Sequence, residues 1–230
     1  MDKDHLTKIQ EHFNSKYTDY DACCNKVVPR NEELQKILVQ SIHHDKEAKL
    51  RMLDLGIGTG LTSWLVLKEF PNSHIDGIDF SSEMLKQASE RMGKYNSRVD
   101  LIEADFTKHE FNGKYDVIFS AVTIHNLPDD EKEKLFIKIY NLLNDGGSFI
   151  NADFIKFKSD HLTKRTMEFY EEFLRKNLAG KELEHWIRHA KEEDLPTTLN
   201  EQITWLKQAG FSRIECVWIY QNLAVYCAVK

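Results

Sequence analysis

Leu53-Asp54-Leu55-Gly56-Ile57-Gly58-Thr59-Gly60 is an apolar run that meets an acid and then sets three glycines at alternate positions. Such a turn lets backbone approach a ligand, because side chains at those positions would fill ligand space, and glycine accepts the positive φ that a tight strand-to-helix turn often needs. Two departures separate it from the dinucleotide fingerprint: Leu61 stands where GxGxxG/A wants Gly or Ala, and Asp54 would repel a pyrophosphate. S-adenosylmethionine (SAM) carries no phosphate but has a positive amino group and a sulfonium, so a carboxylate at this turn suits it. Asp79, closing the apolar run Ile75–Asp79, is placed to accept both ribose hydroxyls, with Phe80 beside it in the same site. Asp105 is placed to accept the adenine amino group. Phe106 either covers the ring or belongs to the core, and Met84 either packs on the adenine face or is plain helical core.

A second group lies further along. His125 follows the run Tyr115–Ala121 and reads in two ways: a neutral imidazole that removes a proton from an oxygen or nitrogen nucleophile, or a residue that packs beside adenosine or caps the next helix. Asp153 faces the cleft or caps a turn. Arg165, Tyr170, Trp186, Arg188 and His189 are candidates to shape an acceptor pocket. Tyr17 and Tyr20 either close over the cofactor or anchor the N-terminal segment. A sulfonium leaving group is already charged, so holding the acceptor in line at about 3 Å supplies much of the acceleration, and the lack of an obvious base is no objection. The four cysteines, Cys23, Cys24, Cys216 and Cys227, form no CxxC pair and no Cys/His set with metal-ligand spacing, so they are expected to be reduced thiols and no metal is expected.

These residues need a scaffold. From Lys49 to Asp153 short apolar runs alternate with amphipathic stretches of helical length, the pattern of an α/β, Rossmann-like, doubly wound sheet. Strands are expected at Arg51–Leu55, His74–Ile78, Val99–Glu103, Tyr115–Ala121 and Ser148–Asp153, with helices starting near Leu61, Ser81 and Asp129. Ser81 and Ser82 with Glu83 and Met84 read as a helix start, where a serine hydroxyl caps the first turn, and Gly146-Gly147 are expected to stop the helix before the fifth strand. Leu34, Ile37, Leu38 and Ile42 recur at helical spacing and predict a helix beside the first strand. Residues 1–48 thus read as a helical segment closing over the cofactor, and 49–230 as the cofactor-binding domain, with a small helical cap inserted at about 157–196. The last helix is expected at Thr198–Ala209, and Arg213–Tyr220 with Leu223–Val229 as a C-terminal antiparallel hairpin on an otherwise mostly parallel sheet.

Leu53–Gly60, Asp79, Glu103–Phe106, Tyr115–Leu127 and Gly146-Gly147 resemble, in order and spacing, the successive motifs of class I SAM-dependent methyltransferases. The resemblance implies adenosine at the carboxyl ends of the first strands, Ser120 and Ala121 lining the methionine arm, and S-adenosylhomocysteine as product. Val28-Pro29, Leu206–Phe211 and the closing hairpin are similar to a narrower group containing the carboxy-SAM enzyme that completes uridine 5-oxyacetic acid in tRNA. That group has a tyrosine just after Val-Pro, where this chain has Arg30 and Asn31, and a cap arginine, where the register offers Arg188 or His189.

The net charge of −6, with both signs mixed throughout, offers no cationic stripe for phosphates and disfavours nucleic acid. No apolar run approaches the roughly 18 residues of a bilayer span, so no membrane partner is expected. The opening MDKDHLTKIQEHF is polar and amphipathic, unlike a secretory signal, and the expected location is cytoplasmic. The leading expectation is methyl transfer to an O, N or C nucleophile of a small molecule, with a homodimer left open. The alternatives are a tRNA-modifying methyl or carboxymethyl transferase, which a basic face built from Lys156, Lys158, Lys164, Arg165, Arg175 and Lys176 would favour, and a SAM-binding protein without activity.

Overall fold

Successive residues of the central runs belong to opposite faces, as a strand's period of two requires: Met52 and Val117 are buried in one apolar cluster, Leu53 and Ile118 in the other. The structure, a computed structural model, describes residues 20–230. Tyr17 lies outside the described residues, as does the side chain of Tyr20. β1 (Arg51–Leu55), β2 (His74–Asp79), β3 (Val99–Glu103), β4 (Tyr115–Ala121) and β5 (Leu143–Phe154) pair in parallel, while β7 (Leu223–Val229) runs antiparallel between β5 and β6 (Arg213–Tyr220). The order is β3-β2-β1-β4-β5-β7-β6. Chain direction across the sheet reverses between β1 and β4, which opens a crevice at their carboxyl ends.

α3 (Leu61–Glu69) and α4 (Ser82–Met92) connect the first three strands, and α5 (Asp129–Leu142) connects β4 to β5. Of the two serines at the expected helix start, Ser81 is the cap of α4, its hydroxyl accepting from the Met84 amide. The glycine pair does something other than stop a helix. α5 ends at Leu142, Leu143 is already extended, and Gly146 and Gly147 lie inside β5, where the ladder with β4 slips between Tyr115 and Val117. A Cβ on Gly147 would meet the Asn144 and Asp116 carbonyl oxygens at 2.9 and 3.0 Å, so close backbone approach at this irregularity requires glycine.

α1 (Tyr20–Val27) and α2 (Asn31–Gln40) precede the sheet. Leu34 and Leu38 are fully buried, and α2 packs chiefly on α3, β5 and β7, so it covers the far half of the sheet instead of lying beside β1. The cap is α6 (Asp160–Asn177) and α7 (Gly180–Glu192), followed by α8 (Leu199–Ala209); α6 packs against both α1 and α7. Among the described residues no helix is long and apolar enough to cross a membrane.

Candidate functional site

A cleft opens at the carboxyl ends of β1, β2 and β4, with α1, α6 and α7 on its other side. The three turn glycines, alike in sequence, do different work. All have positive φ, but a Cβ on Gly56 would lie 2.3 Å from Thr123 Cγ2, and one on Gly60 would lie 2.8 Å from Met92 Cε. Only Gly58 has open space beside it. Gly56 and Gly58 line the cleft, whereas Gly60 is a packing residue behind it.

Asp79 is buried at the end of β2 and fixed by backbone amides: Gly58 N–H donates to Oδ2 and Ser81 N–H to Oδ1, each at 2.9 Å, and the Phe80 N–H donates as well. Burial raises its pKa, and the Ser81, Gly58 and Phe80 amides oppose the shift. A carboxylate offers about four lone-pair directions, so with three backbone amides on it one remains for a ligand. Phe80, Met84, Phe106 and Ala121 line the cleft beside it. Asp105 lines it too, with Oδ1 accepting from the Thr107 amide and hydroxyl and Oδ2 from Lys108 at 2.8 Å. Burial pushes the Asp105 carboxyl up, but those bonds hold it below the ordinary range.

Two residues assigned to the cofactor from sequence stand behind the cleft wall. Asp54 is 1% exposed and accepts from Ser63 Oγ at 2.7 Å; burial raises its pKa to about 7 against that bond, and the Asp79 charge adds to the rise. Ser120 is fully buried and donates to the Leu55 carbonyl at 2.8 Å. Asp54 therefore ties β1 to α3, and Ser120 ties β4 to β1.

β4 leads into a short 3-10 turn, Ile124–Asn126, through Val122 at φ 53. A β-branched residue in the left-handed region is strained, and here it sits on the cleft wall with its N–H donating to the Ala152 carbonyl. The bend delivers His125 onto Asp153, which lies beneath it and outside the lining. Asp153 accepts from His125 twice, at Oδ1 from the ring Nδ1 (2.6 Å) and at Oδ2 from the backbone N–H (2.9 Å). Asp194 Oδ1 lies 3.5 Å from His125 Nε2 and 3.1 Å from His189 Nε2, and His189 Nδ1 meets Glu193 at 2.7 Å. Burial pulls the His125 pKa down, but the Asp153 and Asp194 carboxylates outweigh it and raise it to about 10. Near neutral pH the ring is an imidazolium, unable to take a proton. The sign of the shift fixes its effect on stability. This contribution is complete below the ordinary histidine value of about 6.5 and is lost as pH rises toward 10. Thermal melts should therefore fall in midpoint from pH 7 to pH 10, with a shallower fall in His125→Asn; equal slopes would show that this group is not the cause.

From the cap, Tyr170 and His189 line the cleft, while Arg165 and Arg188 are exposed outside it. Residues the sequence reading passed over also converge here. Asp21 of α1 accepts from Thr59 Oγ1 of the glycine turn at 2.7 Å and pairs with Arg91 of α4, latching the N-terminal helix to the cleft. Asn31, Gln35 and Thr62 form a buried hydrogen-bonded row along the same wall. Polar residues at apolar helical positions, such as Asn31 and Gln35 around Leu34, were the available signal.

A methyltransferase-domain family model matches residues 52–147. The chain is 30% identical over 182 residues to the carboxy-S-adenosyl-L-methionine synthase of Campylobacter concisus, covering 78% of this chain and 77% of that protein. It is 28% identical over 212 residues to the synthase of Campylobacter lari, covering 92% and 90%. Among solved structures, phosphoethanolamine N-methyltransferase 2 of Haemonchus contortus in complex with SAM superposes with a TM-score of 0.64 at 19% identity, over 86% of this chain and 52% of that one. The chain thus spans about half the length of that structure.

Proposed function

The chain belongs to the class I SAM-dependent methyltransferases, with SAM as cofactor, and we propose that it methylates a small-molecule acceptor held between the glycine turn and the cap helices α6 and α7. The observation that carries this reading is the pairing of Gly58 with Asp79: a positive-φ glycine with free space beside it donates its N–H to a buried carboxylate at the cleft wall, the kind of acceptor that ribose hydroxyls require. Asp79 would hold the ribose, Met84 and Phe106 the adenine faces, Asp105 the adenine amino group, and Ala121 the methionine arm. SAM supplies a methyl carbon on a positively charged sulfur. The protein's own contribution is orientation and exclusion of water. His125, paired on both sides, positions the β4 turn and is not a general base.

Synthesis or transfer of a carboxylated cofactor fits less well. Arg188 is outside the cleft, and His189 is already paired with Glu193 and Asp194. A tRNA substrate is opposed by the net charge of −6, although the six basic residues Lys156, Lys158, Lys164, Arg165, Arg175 and Lys176 are all exposed and Arg175 pairs with Glu171.

The test is calorimetric titration with SAM. Gly58→Val should lose at least roughly tenfold in affinity while still folding, because its side chain enters free space, at about 1–2 kcal/mol of backbone strain. Gly56→Val, driven into Thr123, should mainly lower the melting temperature. A wild-type protein that binds no SAM would overturn the proposal.

A further inference from the structure

Given the SAM reading above, the end of the cleft beside the glycine turn carries polar groups that the adenosine leaves unused. Asn31, Gln35 and Thr62 are 4%, 6% and 6% exposed, yet all three line the cleft. Thr62 Oγ1 donates to Gln35 Oε1 at 2.6 Å, Gln35 Nε2 to Asn31 Oδ1 at a loose 3.5 Å, and Asn31 Nδ2 to the exposed Asn25 at 2.9 Å. A carboxamide has two N–H groups, and Asn31 and Gln35 each spend one, so each keeps a buried N–H for a ligand. No side chain caps α3, so the N–H groups at its start, where Leu61 and Thr62 line the cleft, are open to an anion too. Asp21 adds an acceptor. It is bonded to Thr59 as Gln35 is bonded to Thr62, three residues on, so acid and amides stand side by side at the start of α3.

We infer that this row reads the amino-acid end of the cofactor: the N–H groups of Asn31, Gln35 and the first turn of α3 hold its α-carboxylate, and Asp21 holds its α-ammonium. Among the described residues no lysine or arginine lines the cleft, so a carboxylate entering it depends on neutral donors. The cap end has none to offer, because every ring nitrogen of His125 and His189 faces Asp153, Asp194 or Glu193. An amide that donates to a charged group makes a stronger bond than one between neutral partners, and burial in a low dielectric strengthens it further. Asn31 and Gln35 are therefore specificity-determining residues, and α2, which carries them, holds the cofactor as well as covering the sheet. The cap end is left for the methyl acceptor.

SAM and decarboxylated SAM share the adenosyl group, sulfonium and ammonium and differ only in that carboxylate, so the ratio of their affinities isolates its contacts. Calorimetry on the wild-type chain should find SAM at least roughly tenfold tighter. Gln35→Glu keeps an acceptor for the Thr62 hydroxyl but sets a negative charge against the ligand carboxylate, and should lower the ratio at least roughly tenfold, to unity or below. Asn31→Asp, which can still accept from Gln35, should do the same, and decides the matter if the first variant does not fold. A row that only braces α2 against α3 predicts a different result: in the variants both ligands weaken together and their ratio stays at the wild-type value. That result, or a wild-type ratio near one, overturns the inference while leaving the methyltransferase reading intact. Failure of SAM and decarboxylated SAM alike to bind the wild-type chain overturns both.

Discussion

Asp79→Ala should weaken SAM binding by about 3 kcal/mol, on the order of a hundredfold, as measured by calorimetry. Hydrogen bonds to a charged group are each worth about 1.5–3 kcal/mol, and the substitution removes the acceptor for the ribose hydroxyls. It also strips the Gly58 and Ser81 amides of their shared partner, so the turn that shapes the cleft loosens at the same time. Asp79→Asn separates the two effects. Its amide oxygen still accepts one backbone N–H while its NH2 opposes the other, so it should bind SAM weakly with a smaller loss in melting temperature. Unchanged affinity in Asp79→Ala would remove this residue from the binding site.

Asp153→Ala should be the most damaging change to the fold among the polar residues, costing about 3–5 kcal/mol and lowering the melting temperature by about 10 °C. The carboxylate is 1% exposed and holds both the ring and the backbone N–H of His125, and removing it leaves a buried imidazolium short of one partner. Asp153→Asn, which can still accept from the backbone N–H, should cost less. Replacing both residues with small apolar ones should recover part of the loss, because the stranded charge goes with its partner. A loss below about 1 kcal/mol in Asp153→Ala would mean that the Asp153–His125 pair does not hold the β4 turn in place.

Much of the scaffold was legible because its cause is local. Apolar runs of strand length alternate with helical stretches, and Ser81 carries its capping hydroxyl at the position where α4 needs one. Gly146 and Gly147 misled for a local reason too. Glycine ends helices often, and only the Asn144 and Asp116 carbonyls packed against Gly147 show that the pair belongs to an irregular strand. Within the glycine turn, spacing cannot tell Gly58 from Gly56 and Gly60, since the difference is which atoms from distant segments lie beside each one: Thr123 at Gly56, Met92 at Gly60 and open space at Gly58.

The sequence by itself determined the sheet, the glycine turn and the acid at the end of β2, because each depends on residue type and spacing within a short stretch. Tertiary structure alone decided which side chains reach the cleft. Asp54 and Ser120 turned inward to tie strands and helix together, Arg165 and Arg188 stayed in solvent, and Asp21 arrived from α1. It also decided the protonation of His125. An isolated imidazole is half-charged near pH 6.5, and only folding brings Asp153 and Asp194 from distant positions to hold its proton to about pH 10.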